Sequence, residues 1–365
     1  MCKNKDKKYF AYIDNKIYCR KCIRINKGKK AILNTYTNLK EVKANIDYPL
    51  TSIQLNASKE VLKHIKNHEN VIINAVCGAG KTELVYKSIE YMLNNNKIVA
   101  FAIPRKDVVI EIYNRLKKDF PSIDISCVYG GHSEITTGQL IVLTTHQLFR
   151  YKKYFDLLIL DEADAFPYNN NKMLENFLLD SVKGNIIYLS ATLNNDFLRK
   201  CKNVVYVNRR YHNYDLPIPK IVRCNLFNKF KVLNKILTSL KGKQILIFVP
   251  TIKDGFILKE KLNLPFVYSS FKDKEKVIEE FKNNKIKMLI TTSILERGIT
   301  IKDVQVIVYD ASHPMFDEAT LIQISGRVGR KKDAPKGNIY FLTFSKNEAI
   351  RQCIRKLMLK NKATV

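Results

Sequence analysis

The sequence predicts an α/β protein of two parallel-sheet domains in tandem, behind a small, basic, cysteine-containing N-terminal module. Three observations predict it. Short, continuous apolar runs alternate with segments of helical periodicity, the pattern of strands buried on both faces. That alternation breaks once, at a proline-bearing stretch, and then restarts. The first 45 residues differ in composition from everything that follows.

The chain has 365 residues, enough for two cores and a small appendage. An apolar content of 46% with 10% aromatics supplies those cores and argues against global disorder. The net charge is +29, which attracts phosphate polyanions and steers them at low salt. Asn- and Lys-rich loops such as 94–97 leave open a plain compositional bias toward lysine. The opening "MCKNKDKKYF" has charge but no apolar core, so it does not read as a signal peptide. No apolar run approaches the roughly 20 residues of a membrane span. With scattered cysteines instead of a disulfide framework, these features predict a cytoplasmic protein.

Residues 1–45 carry thirteen Lys or Arg against three acids, interleaved with Tyr9, Phe10, Tyr12 and Tyr18. Cations mixed with aromatics can grip phosphates and stack bases; a solvated basic tail is the alternative. Cys19 and Cys22 form the one CxxC pair among eight cysteines.

Residues 46–214 read as the first domain. Strands are expected at "VIINAV" (71–76), "IVAFAI" (98–103), "LIVLT" (140–144), "DLLIL" (156–160) and "NIIYLS" (185–190). Between the first two, Val85, Ile89, Met92 and Leu93 share one helical face. "YHNYDLPIPK" (211–220) then reads as a linker. In the second domain, 215–365, strands are expected at "QILIFV", "PFVYSS", "IKMLIT", "VQVIVYD" and "GNIYFLT", and a helix closes the chain.

Three motifs carry chemistry. "AVCGAGKTE" (75–83) joins the first strand to the first helix, the context a phosphate loop requires. Gly78 and Gly80 let backbone N–H groups turn toward phosphates, and Cys77, Ala79 and Glu83 complete the loop. Lys81 is expected to reach the β- and γ-phosphates of a nucleoside triphosphate, and Thr82 to ligate Mg²⁺. "LLILDEAD" sets Asp161 at the carboxyl end of a buried strand, where ligands gather in open α/β sheets. Asp161 suits the metal's water shell, and Glu162 the polarisation of attacking water. "LIQISGRVGR" (321–330) supplies Gln323, Arg327 and Arg330, arginines that can neutralise a transferring phosphoryl group.

In order, the phosphate loop, "DEAD", "SAT" (190–192), "TTSILERGITI" (291–301) and "QISGRVGR" resemble superfamily 2 helicases and translocases. The resemblance implies two RecA-like domains that clamp ATP, with Gln54 reading adenine and Gly298 lining the nucleotide site. The letters DEAD suggest an RNA helicase of the DEAD-box type. The flanks differ, because "AIPRKDVVIEIYNRL" stands where that group shows "PTREL" and "QISGRVGR" where it shows "HRxGRxGR". "TTHQLFRY" and "DEADAFPY", with "PRKDVVIEIYNRL" and "SILERGITI", resemble instead the ComFA family of late competence proteins.

That resemblance implies a DNA-stimulated ATPase that moves single-stranded DNA inward during transformation. It implies work beside a membrane channel, peripheral to the inner face, with a small ComFC-like partner and self-association as a further option. DNA contacts carry over to Pro104, Arg105, Thr145, His146, Gln147 and Thr292, suited to backbone contacts that ignore sequence. Relatives of this kind hold two cysteine pairs, which implies Zn²⁺; here Cys2, Cys19 and Cys22 are one ligand short of the usual four. Two rivals remain: the RNA helicase, and a non-enzymatic nucleic-acid-binding scaffold, which the intact Lys81, Asp161, Glu162, Arg327 and Arg330 oppose.

Overall fold

The computed structural model describes residues 6–13, 16–20, 31–32, 34–38, 40–132, 136–164, 168, 171–192, 198–199, 201–225, 227–295, 301–345 and 347–363. Contacts divide the chain into two units: Met1–Ala75 with Gly80–Val207, and Val76–Ala79 with Asn208–Val365.

The first unit opens with an antiparallel hairpin of β1 (Phe10–Ile13) and β2 (Lys16–Cys19). Its main sheet contains β3 (Val71–Ala75), β4 (Val99–Ile103), β5 (Ile125–Val128), β6 (Leu140–Thr144), β7 (Phe155–Leu160), β8 (Val182–Ser190) and β9 (Val204–Val207). The order is β5-β6-β4-β7-β8-β3-β9, all parallel. β3, β4 and β6 are buried along their whole length, which is why they read as unbroken apolar runs.

Helices cover the faces: α1 (Ser52–Lys66), α2 (Lys81–Leu84), α3 (Tyr86–Asn94), α4 (Lys106–Asp119) and α5 (Lys172–Ser181). Thr51 and Gln54 close a reciprocal capping box at the start of α1. The helix expected after the phosphate loop divides at Val85 into α2 and α3. Val85, Ile89, Met92 and Leu93 are buried all the same. Residues 38 and 40–44, inside the expected basic module, lie along α3. There the Asn38 side-chain amide donates to Leu93 O at 2.7 Å, and Asn94 Oδ1 accepts from Val42 N at 2.7 Å.

The second unit holds β10 (Lys220–Arg223), β11 (Gln244–Phe248), β12 (Phe266–Val267), β13 (Met288–Thr291), β14 (Val304–Tyr309) and β15 (Ile339–Thr343). They pair in parallel in the order β10-β15-β14-β11-β13-β12. Its helices are α6 (Lys229–Ser239), α7 (Ile252–Leu262), α8 (Lys274–Lys282), α9 (Glu318–Ser325) and α10 (Glu348–Lys362). Ile245, Ile247, Ile290, Ile307 and Leu342 from the sheet pack with Leu233, Leu258 and Phe266 into one core.

Candidate functional site

Parallel strands send their carboxyl ends to one edge, and the first unit gathers its polar motifs there. β3 runs into Val76–Gly80 and then α2. Gly78 and Gly80 adopt φ of 85° and 79°, a turn that glycine makes without strain. Thr82 is buried and Lys81 half-buried. Gln54 rests on the loop: a Cβ added to Gly80 would lie 2.4 Å from its Nε2. Its Oε1 accepts from Thr51 N at 2.9 Å, so the side chain is buried and fixed beside the loop.

Glu83 is also buried, and its Oε1 meets both the Tyr48 hydroxyl and the Arg115 guanidinium. Burial and the bond to Glu83 push the Tyr48 phenol up to about 12. This Tyr48–Glu83–Arg115 cluster behind the loop was not visible in the sequence, where its members lie up to 67 positions apart.

β7 ends at Leu160 and delivers Asp161. Its backbone N–H donates to Ala102 O at 2.9 Å, which ties the acidic turn to β4. Burial, then the neighbouring Glu162 carboxylate, raises the Asp161 pKa to about 6, while Lys81 and the Glu162 N–H pull it down. That N–H donates to Asp161 Oδ1 at 2.8 Å. Glu162 itself sits at φ 51°, an uncommon conformation for a residue with a side chain.

The turn continues into the end of β8. Ala163 N donates to Leu189 O at 3.2 Å, and Thr192 Oγ1 donates to Asp164 Oδ2 at 2.7 Å. Thr192 N is in turn held by Ser190 Oγ at 3.1 Å. The "DEAD" and "SAT" segments thus form one hydrogen-bonded element.

β4 and β6 are direct neighbours, with Ile103 opposite Thr144. The residues after them, Pro104–Arg105 and Thr145–Gln147, therefore share a stretch of the same edge. Arg105 is half-buried beside Asp107 at 3.5 Å, His146 is exposed, and Gln147 accepts from Arg150. Thr145 Oγ1 is buried and makes no hydrogen bond among the described residues.

In the second unit, Thr292 follows β13 and donates its N–H to Val267 O at 3.4 Å. Gln323 and Arg327 are buried on and just after α9; Arg330 is half-buried, with Nε donating to Gly326 O at 2.8 Å. Cys77, grouped with this unit, donates its thiol to Gln323 Oε1 at 3.2 Å. Gly298, Cys2 and Cys22 lie outside the described residues. Cys19 packs against the first core, and among the described residues no group of three His, Cys, Asp or Glu could hold a metal.

The sequence reading missed Arg210, a fully buried arginine just beyond β9. The one available signal was the pair Arg209–Arg210, two adjacent arginines shortly after β9.

Comparison with known proteins fits this geometry. A family profile described as "Type III restriction enzyme, res subunit" matches residues 47–195, and "Helicase conserved C-terminal domain" matches 228–332. Competence protein ComFA of Bacillus subtilis is 34% identical, over 96% of this chain and 82% of its own. That of Streptococcus pneumoniae is 35% identical, over 94% and 86%. The chain belongs to the ComFA family.

ComFA membership with these two domains makes the chain an ATP-hydrolysing, helicase-like, nucleic-acid-binding enzyme of competence that uses ATP and Mg²⁺. The fold agrees: Dbp5 of S. cerevisiae bound to RNA and ADP BeF3 superposes with a TM-score of 0.63 at 17% identity, covering 86% of this chain and 92% of that one. The RecA-like character of both sheets is thereby shown. Thr82 and Asp161 offer a hydroxyl and a carboxylate, the hard oxygen donors that magnesium takes, and so fit that ion. Among the described residues no helix is long and apolar enough to cross a membrane.

Proposed function

We propose that this ComFA-family chain is an ATP-driven translocase on single-stranded DNA that draws DNA in during transformation. One observation carries the reading: a hydrogen-bonded link joins the acidic turn to the "SAT" segment, on an edge that also bears Pro104–Arg105 and Thr145–Gln147. Such a link lets hydrolysis be felt where a strand is held.

In this reading Lys81 holds the β- and γ-phosphates, and the backbone of Cys77–Thr82 cradles them. Thr82 and Asp161 would hold magnesium, which would supply neutralisation of the phosphate charge. Glu162 accepts a proton from the attacking water, and Arg330, with Gln323 and Arg327 behind it, offsets charge on the transferring phosphoryl group. Arg105, the 145–147 turn and Thr292 contact the DNA backbone. Residues 46–214 and 215–365 act as the two motor domains and 1–45 as a basic appendage. Zinc at Cys2, Cys19 and Cys22 has no structural support and is given no role. A ComFC-like partner, a membrane channel and self-association follow from the family name and are proposals of the same standing.

The test is steady-state ATP hydrolysis with single-stranded DNA, duplex DNA or RNA, against a Glu162→Gln blank. Strong stimulation by single-stranded DNA, lost in E162Q, supports the reading. Stimulation by RNA alone would replace it with the RNA helicase.

A further inference from the structure

Arg210 is 2% exposed, yet among the described residues no carboxylate lies within ion-pair reach of it. Among the described residues its guanidinium donates hydrogen bonds to carbonyls. Nε donates to Cys77 O at 3.1 Å, and Nη1 to Val328 O at 2.8 Å and Gly329 O at 2.6 Å. Nη2 is buried and has no partner among the described residues. All of these residues lie in the second unit, which includes Val76–Ala79.

The flanking residues reinforce the arrangement. Tyr211 N donates to Gly78 O at 3.2 Å, the Tyr211 hydroxyl accepts from Lys332 N at 3.1 Å, and His212 Nε2 stands 2.9 Å from Gly329 O. Gly329, at φ 68°, closes against the arginine. A Cβ there would come within 3.0 Å of Nη1 and 2.3 Å of Pro335 O. Residues 210–212 therefore hold the backbone of both glycine-bearing loops.

A buried cation without an anion is unfavourable, because carbonyl dipoles replace only part of its lost hydration. Burial pulls the Arg210 pKa down to about 10, and the like charge of Arg330 adds to the fall. The side chain is still protonated at neutral pH. A full positive charge, a spare donor and two loops folded around it suit the binding of an anion.

We infer that Arg210 is a phosphate-binding residue whose Nη2 takes an oxygen of a nucleotide phosphate while Nε and Nη1 hold the loop carbonyls in place. The terminal phosphate of a nucleotide fits better than a phosphodiester, because it brings nearly two charges and needs no room for a continuing chain. This rests on the reading of Lys81 and the phosphate loop as the nucleotide site.

The experiment is equilibrium binding of adenosine 5′-O-(3-thiotriphosphate) and of a thymidylate oligonucleotide to wild type, Arg210→Met and Arg210→Lys, with thermal melts alongside. A charge-assisted bond of the usual strength predicts roughly ten- to hundredfold weaker nucleotide binding in R210M. Oligonucleotide affinity stays as in wild type, and the nucleotide-induced rise in Tm shrinks. R210K, which keeps the charge but loses the fork, falls between; should R210M fail to fold, wild-type nucleotide affinity in R210K overturns the inference. A lowered Tm with undiminished nucleotide affinity would make Arg210 a structural clip only. Loss of oligonucleotide affinity alone would assign it to the nucleic acid backbone. Absence of nucleotide binding in wild type would instead sink the underlying site assignment.

Discussion

The Thr192 hydroxyl donates to the Asp164 carboxylate across 2.7 Å, joining the last acid of "DEAD" to the last residue of "SAT". Asp164 is buried, so this bond is made away from competing water. If it relays the state of the acidic turn, Thr192→Val keeps unstimulated ATP hydrolysis but loses most of the stimulation by single-stranded DNA. The lost hydrogen bond costs about 1–3 kcal/mol of stability. Hydrolysis measured with and without DNA checks this; equal loss in both conditions refutes the relay.

Arg330 is expected to act on the transferring phosphoryl group and not on ground-state binding. Arg330→Ala should lower kcat by about 10³-fold or more while the affinity for ATP changes little. A rise in KM with kcat preserved would remove the residue from this role.

Asp161 gives a pH-dependent prediction. Its pKa of about 6 in the folded chain lies above the ordinary 3.8, so the folded state binds that proton more tightly than the unfolded state. Stability is therefore lost as pH rises from about 4 through 6. Asp161→Asn removes that loss. In chelator, its gain in Tm over wild type should be larger at pH 8 than at pH 4, although hydrolysis is abolished. A gain that is independent of pH contradicts the assignment.

Gly255 lies on α7 directly against Phe266, and a Cβ there would fall 2.1 Å from the ring. Gly255→Ala should cost about 1–3 kcal/mol in urea unfolding through overpacking. Adding Phe266→Leu should recover part of the loss. Strictly additive losses would show that the ring is not the obstacle.

Local pattern made much of the fold legible. "LIVLT" is β6 to the residue, because a strand buried on both faces must be apolar throughout. β5 (Ile125–Val128) escaped because its middle residues, Ser126 and Cys127, are half-exposed; β10 (Lys220–Arg223) escaped as a short edge strand bounded by charge. The division of the first helix at Val85 follows loop geometry that periodicity does not record. Lys81, Thr82, Asp161 and Glu162 could be found from motif spacing. Arg210 could not, because its partners are main-chain carbonyls as far as 119 residues away and leave no trace in side-chain pattern. Tyr48, Glu83 and Arg115 were hidden because side chains up to 67 positions apart meet only once the chain has folded.

β3 is the first strand of its sheet in sequence, yet its neighbours are β8 and β9, the last two. On a growing chain the phosphate loop is synthesised early, but its strand has no partner strand until β8 has emerged and is flanked on both sides only after residue 207. Competence to bind nucleotide therefore arrives late, and nascent chains halted before β8 expose an unpaired apolar strand. Such fragments should favour aggregation or chaperone capture over a half-working ATPase.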